Sequence, residues 1–226
     1  MKLPMKPFIL LALVLHPASA IAEPETGSRI DTARGSVTTY DIEGEKAAVR
    51  VMNKFARCVA NRNRARATEL LAMPYLSPEQ SKRIGAFFGG EDTCLGLGDR
   101  ELRFKAPVVL GGLAEGLILK SYKKSDVLRF AGMTDEAMEA AGLAPRNVPE
   151  DFGQCVVRRD PGLAFDLIGS APASPGEAAA VGKLTPHLGP CLIEGNTLNL
   201  TAMAVRSIIA VGLYRMLTAS NPGRTS

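Results

Sequence analysis

A single offset of 97 positions lays one half of this chain over the other, and that duplication restricts the fold more than any individual residue does. It carries Phe55-Ala56-Arg57-Cys58-Val59 onto Phe152-Gly153-Gln154-Cys155-Val156. It also carries Arg62 onto Arg159, Leu70 onto Leu167, Ser77-Pro78 onto Ser174-Pro175, Gly85 onto Gly182 and Cys94-Leu95 onto Cys191-Leu192. A repeat that keeps its cysteines, a glycine and its helix-start residues in register is one structural unit used twice. Such a pattern constrains architecture closely and function hardly at all.

Each unit reads as helical. Val49, Met52, Phe55 and Val59 recur at helical spacing over 45–60. Asn63 can cap a second helix reaching Leu71, with Leu70 and Leu71 inward; its partner Asp160 is followed by Pro161, at the position where a helix start tolerates proline. Ser77-Pro78-Glu79-Gln80 and Ser174-Pro175-Gly176-Glu177 are capping boxes, which predict helices over 78–88 and 175–184. Two strongly apolar segments, 107–119 and 202–217, close the units. Gly112 and Gly116 fit either a membrane dimer face or a close helix crossing, and Glu115 and Arg206 interrupt the apolar runs in favour of the crossing. Leu102-x-Phe104 and Leu198-x-Leu200 alternate briefly and could pair across the units as a two-stranded ribbon. Residues 120–148, with Thr134 capping a helix to Ala141, form a joint without counterpart. The expected fold is all-α: two tandem pseudo-equivalent helical units, 45–119 and 149–217, each with one internal disulfide. A tether over 23–44 precedes them and a disordered tail over 218–226 follows.

Residues 1–22 have the pattern of an export signal. Lys2 and Lys6 precede the apolar run from Phe8 to Leu15, and Ala18-Ser19-Ala20-Ile21-Ala22 offers cleavage after Ala20 or Ala22. The run is far shorter than the roughly 20 residues of a membrane span. The expected location is therefore periplasmic or secreted, where paired thiols persist as disulfides. Four cysteines allow three connectivities. The 36-residue separation common to Cys58/Cys94 and Cys155/Cys191 favours one bridge in each unit. A swapped pairing would need intertwined units. Zinc is the weaker reading, since no C-x-x-C is present and His187 is the one histidine beyond residue 22.

Little chemistry announces itself. Losing Lys2 and Lys6 lowers the formal charge from +4 to +2, too slight to imply nucleic acid. Neither a nucleophile elbow, a phosphate loop nor a metal-ligating set stands in the sequence, and no cofactor or metal is expected. Arg62 and Arg159 recur at the end of the first helix of each unit. They could satisfy helix carbonyls, bridge the matched acids Glu69 and Asp166, or form a twofold anion site.

Phe152, Cys155, Val156, Arg159, Asp160, Pro161, Cys191, Leu192, Leu213, Tyr214 and Arg215 carry a pattern that resembles a group of small exported bacterial proteins with no assigned activity. The first unit departs from it, with Asn63-Arg64 in place of Asp-Pro. The resemblance spans about 45–216 and implies an envelope location without catalytic residues. The expected function is a non-catalytic exported protein that binds an envelope partner or ligand, or supports the envelope. The alternative is an envelope hydrolase using carboxylates such as Glu69, Asp166 or Glu194.

Overall fold

Every regular element among the residues described by the computed structural model, 42–88, 94, 106–196 and 198–220, is a helix. The first unit holds α1 (Ile42–Arg62), α2 (Arg64–Ala72), α3 (Pro78–Phe88) and α4 (Ala106–Ser121). The joint adds α5 (Lys124–Val127), a 3₁₀ turn at Leu128–Phe130 and α6 (Asp135–Ala140). The second unit holds α7 (Val148–Arg159), α8 (Pro161–Gly169), α9 (Pro175–Leu188), a 3₁₀ turn at Gly189–Cys191 and α10 (Ala202–Ser220). The signal segment 1–22, the tether up to residue 41 and the tail beyond 220 lie outside the described residues. The last three tether positions and the first three tail positions belong to α1 and α10.

Close approach of backbones sets the packing. A Cβ on Gly112 would lie 2.6 Å from the Ala56 Cβ, and one on Gly116 would lie 2.9 Å from the Arg57 Cα, so α4 runs along α1 in the same direction. The second unit makes the same contact with the small residue moved to the other helix. Gly153 on α7 faces Ile208 on α10, and a Cβ there would meet the Ile208 carbonyl oxygen at 2.7 Å. Gly153 is the repeat partner of Ala56 and, with a one-residue gap, Ile208 is that of Gly112. Between the units Gly111 meets Ser207, its own repeat partner, with a Cβ-to-Cα approach of 2.6 Å. A position that touches its own counterpart marks the pseudo-twofold of an isologous contact. Gly112 and Gly116 thus serve a close helix crossing.

One apolar core runs through both units, including Leu71, Leu110, Leu113, Leu167, Phe152 and Leu213. α10 is apolar enough to cross a membrane by length and composition, yet 67% of its apolar window is buried inside the fold, as in a core helix. The joint contributes Val127, Phe130, Met138 and Leu143 to the same core. Its few apolar residues lie among charges at irregular spacing, so sequence periodicity shows only a connector.

Both disulfides form within their units, Cys58–Cys94 and Cys155–Cys191, each with Cα atoms 5.7 Å apart. The swapped pairing and the zinc reading are excluded by this connectivity. The ribbon is not formed: Leu198-Asn199-Leu200 has no regular structure because its two leucines pack singly against the core. Its proposed partner, 102–104, lies outside the described residues. α9 continues past the expected end at 184 to Leu188, carrying Pro186 inside it, which places His187 in a last helical turn rather than a loop.

Both capping boxes are present with one shift in register. Ser77 and Ser174 accept from the N–H of Gln80 and Glu177 at 3.1 and 3.2 Å. The returning side chains accept from Leu76 and Ala173, one residue before the cap, at 2.7 and 2.8 Å. That earlier N–H points inward because Leu76 and Ala173 both adopt left-handed backbone, φ 57° and 50°. Asp160 caps α8 through Leu163, whereas Asn63 occupies the corresponding position without a side-chain capping bond. Ser174→Ala should cost about 1 kcal/mol and Ser174→Asp nearly nothing in chemical denaturation; equal effects would refute the cap. Ala173→Gly should stabilise by about 0.5–1 kcal/mol, the relief of left-handed strain outweighing glycine's added unfolded-state entropy. A loss of that size would show that the φ at Ala173 is unstrained.

Candidate functional site: two buried ion clusters at the seam between the units

The last turns of α2 and α8 leave carbonyls that need donors, and Leu70, Leu167 and Ile168 in those turns are buried. Guanidinium groups supply them, and buried carboxylates hold those groups in place.

At the end of α8 the guanidinium is Arg206, on α10 and 3% exposed. It donates to the carbonyls of Leu167, Ile168 and Ser170 at 2.9, 2.9 and 3.0 Å. Its Nε and Nη2 also hold both oxygens of Glu115 on α4, at 2.6 and 2.9 Å, and its Nη1 reaches Glu177 at 3.1 Å. Glu115, 1% exposed, further accepts from Asn53 at 2.9 Å and from Arg57 at 2.6 Å, and Arg57 donates to Ile168 as well. Two arginines face two glutamates, so the cluster is electrically neutral. Burial alone would depress the Arg206 pKa; the Glu115 and Glu177 carboxylates outweigh it and hold the group above its ordinary value.

The first unit solves the same problem with an amide. Gln80, the repeat partner of Glu177, donates directly to the carbonyl of Leu70, the partner of Leu167, at 2.9 Å. A carboxylate cannot donate, so Glu177 needs Arg206 between itself and the helix end. The carbonyls of Ala72, the last residue of α2, and of Met73 just after it accept from Arg146 at 2.8 and 2.9 Å. Arg146 is held by Glu150 on α7, which is 2% exposed and also accepts from the Tyr75 N–H at 2.8 Å and from Arg215. Cross-unit contacts are reciprocal around these clusters. Arg50 on α1 donates to the carbonyls of Pro172 and Ala173, and Asn147, its repeat partner, donates to that of Tyr75, the partner of Pro172.

Burial by itself would raise the Glu150 pKa, but hydrogen bonds from Arg146 and from the Tyr75 N–H, with the charge of Arg215, hold it below its ordinary value. A carboxylate with a lowered folded pKa stabilises fully above its unfolded value, near 4.5, and that stability fades as pH falls through the folded value. Unfolding free energy should therefore drop on acidification below about pH 5, and Glu150→Gln should flatten that slope. An unchanged slope in Glu150→Gln would assign the acid sensitivity elsewhere.

The arginines singled out in the sequence are elsewhere. Arg62 and Arg159 both end their helices, α1 and α7, but both are exposed and, among the described residues, bond neither helix carbonyls nor an acid. Glu69 pairs with Arg83 at 3.1 Å and Asp166 with Lys124 at 2.6 Å, because α3 and the joint bring those cations closer than the α1 and α7 ends can. Glu194 is exposed in the turn after Cys191. The three acids thus stand on α2, on α8 and in a turn, and Glu69 lines a surface recess with Arg66, Leu70, Arg83, Ala86 and Phe87. His187 is half-buried at the end of α9. Among the described residues no three His, Cys, Asp or Glu side chains gather as metal ligands.

Sequence reasoning missed Glu115, Glu150, Glu177, Arg146, Arg206 and Arg215 as one system. The available signal was a charge inside each of two otherwise apolar helices, Glu115 and Arg206, which predicts mutual pairing when both helices are buried. Among known proteins, no family model, no curated sequence and no solved structure matches this chain.

Proposed function

We propose that this is an exported, non-catalytic envelope protein, delivered by cleavage of the signal segment 1–22 and acting by binding a partner or ligand or by structural support. The observation that carries this reading is the use made of the buried carboxylates. Glu115, Glu150 and Glu177 are each saturated by guanidinium or backbone donors that close helix ends. A general acid or nucleophile needs an accessible, reactive oxygen and a cleft for substrate. Glu69 and Asp166 are solvent-facing partners of surface cations. The two disulfides are compatible with an oxidising compartment.

Two measurements test the reading. Amino-terminal sequencing of the protein recovered from the envelope fraction or medium should begin at Ile21 or Glu23; a retained Met1 in the cytoplasm would refute export. The purified mature chain should show no turnover on ester, peptide, phosphate and glycan panels. A reproducible activity abolished by Glu69→Gln or Asp166→Asn in a folded protein would establish the hydrolase instead.

A further inference from the structure

We propose that Arg215 and Arg146 form the floor of a binding site for a small oxyanion, a phosphate or a carboxylate, at the surface edge of the second ion cluster. The two clusters differ in charge. Around Glu115 two arginines face two glutamates. Around Glu150 two arginines face one, because Arg146 and Arg215 both donate to the same oxygen, Oε2. Arg146 spends four side-chain hydrogen bonds, two on Glu150 and two on the carbonyl end of α2, whose partial negative charge supplies a second counter-charge. Among the described residues Arg215 has no such second partner.

Arg215 is the anomaly. Its side chain is 12% exposed, yet among the described residues only one of its five N–H groups has an acceptor, the Glu150 carboxylate. Arg206, more deeply enclosed, bonds carbonyls and carboxylates with all three of its nitrogens. The Arg215 side chain keeps part of its surface open to solvent, and that of Arg146, on the same Glu150 oxygen, is 31% exposed. A guanidinium edge presents two parallel donors, a geometry that takes two oxygens of a phosphate or carboxylate bidentately. Burial and the neighbouring Arg146 also push the Arg215 pKa down, a further sign of crowded positive charge. The site takes the anion role that the sequence suggested for Arg62 and Arg159, and it stands whether or not the protein is exported.

The test titrates the oxidised, full mature chain with inorganic phosphate and, separately, with acetate, at ionic strength held constant with chloride. Arginine Nε–Hε resonances report the site. The expected result is saturation at millimolar anion with the Arg215 resonance moving most. The anion that saturates at the lower concentration assigns the site to phosphate or to carboxylate. Arg215→Lys, which keeps the charge beside Glu150 but loses the fork, should weaken binding at least about fivefold. Glu150→Gln, which removes the competing carboxylate, should tighten it, a gain that misfolding cannot imitate. Arg62→Gln and Arg159→Gln should bind like the parent. No saturation with either anion, or equal binding by Arg215→Lys, overturns the proposal; if Glu150→Gln fails to fold, the lysine variant decides.

Discussion

Arg206→Ala is expected to lower the unfolding free energy by about 3–5 kcal/mol, the largest effect of any single side chain in this fold. Three consequences add up. Glu177, 6% exposed, would keep the Ala173 N–H as its remaining donor, and Glu115 would lose two of its charged bonds. The carbonyls of Leu167, Ile168 and Ser170 would lose the guanidinium that closes α8, with Arg57 still reaching Ile168 alone. The size of the total comes from leaving two buried carboxylates short of one counter-charge, with the Ser170 carbonyl also losing its donor. Arg206→Lys should recover only part of the loss, because one ammonium cannot reach acceptors spread around the whole edge of a planar fork. Equilibrium denaturation with guanidinium or urea measures both. A cost under about 1 kcal/mol for Arg206→Ala would mean that water enters and replaces the arginine.

The disulfides come next. Cys155→Ala with Cys191→Ala should cost about 2–5 kcal/mol, and Cys58→Ala with Cys94→Ala a similar amount. The argument is the loop that each bridge closes. Both separations are 36 residues, so the chain-entropy term, roughly 3.8 kcal/mol, is the same for the two. The bridges also tie the first helix of each unit to a distant segment: Cys155 on α7 is held to the 3₁₀ turn after α9. Cys191 is 6% exposed, so its loss removes packing in addition. Thermal melts under oxidising conditions, with and without each pair, give the comparison. A double variant that melts like the parent would show that the unfolded chain is already compact enough to lose little entropy on closure.

How much of this was legible beforehand depends on whether the signal is local. Ser77 and Ser174 announce their helices because a capping box is a matter of four consecutive residues, and α3 begins and ends where the box and its length predict. The disulfide pairing was legible because the repeat fixed its register. The end of α9 was less legible: it runs past the expected 184 to Leu188, with Pro186 inside it where a proline usually ends a helix. The ribbon at Leu198–Leu200 failed because two leucines can reach a core from irregular backbone as well as from a strand. The ion clusters were hidden for a different reason. Glu115 and Arg206 are 91 positions apart, and Glu150 and Arg215 are 65 apart. No local pattern states that such pairs meet. Only the packing of α4 on α10, and of α7 on α10, puts their side chains within reach. The repeat even concealed the arrangement, because Gln80 and Glu177 occupy one position with opposite hydrogen-bonding needs.

The central claim is that buried acid and arginine serve as one structural device at the seam between the units, and a double-mutant cycle tests it most directly. Glu115→Gln and Arg206→Met, singly and together, remove the pair without adding bulk. Denaturation of the four proteins should give a coupling energy of about 2–3 kcal/mol, the double variant being far less destabilised than the sum of the singles. Additivity within about 0.5 kcal/mol would contradict the account, because groups that hold each other in place cannot be removed independently.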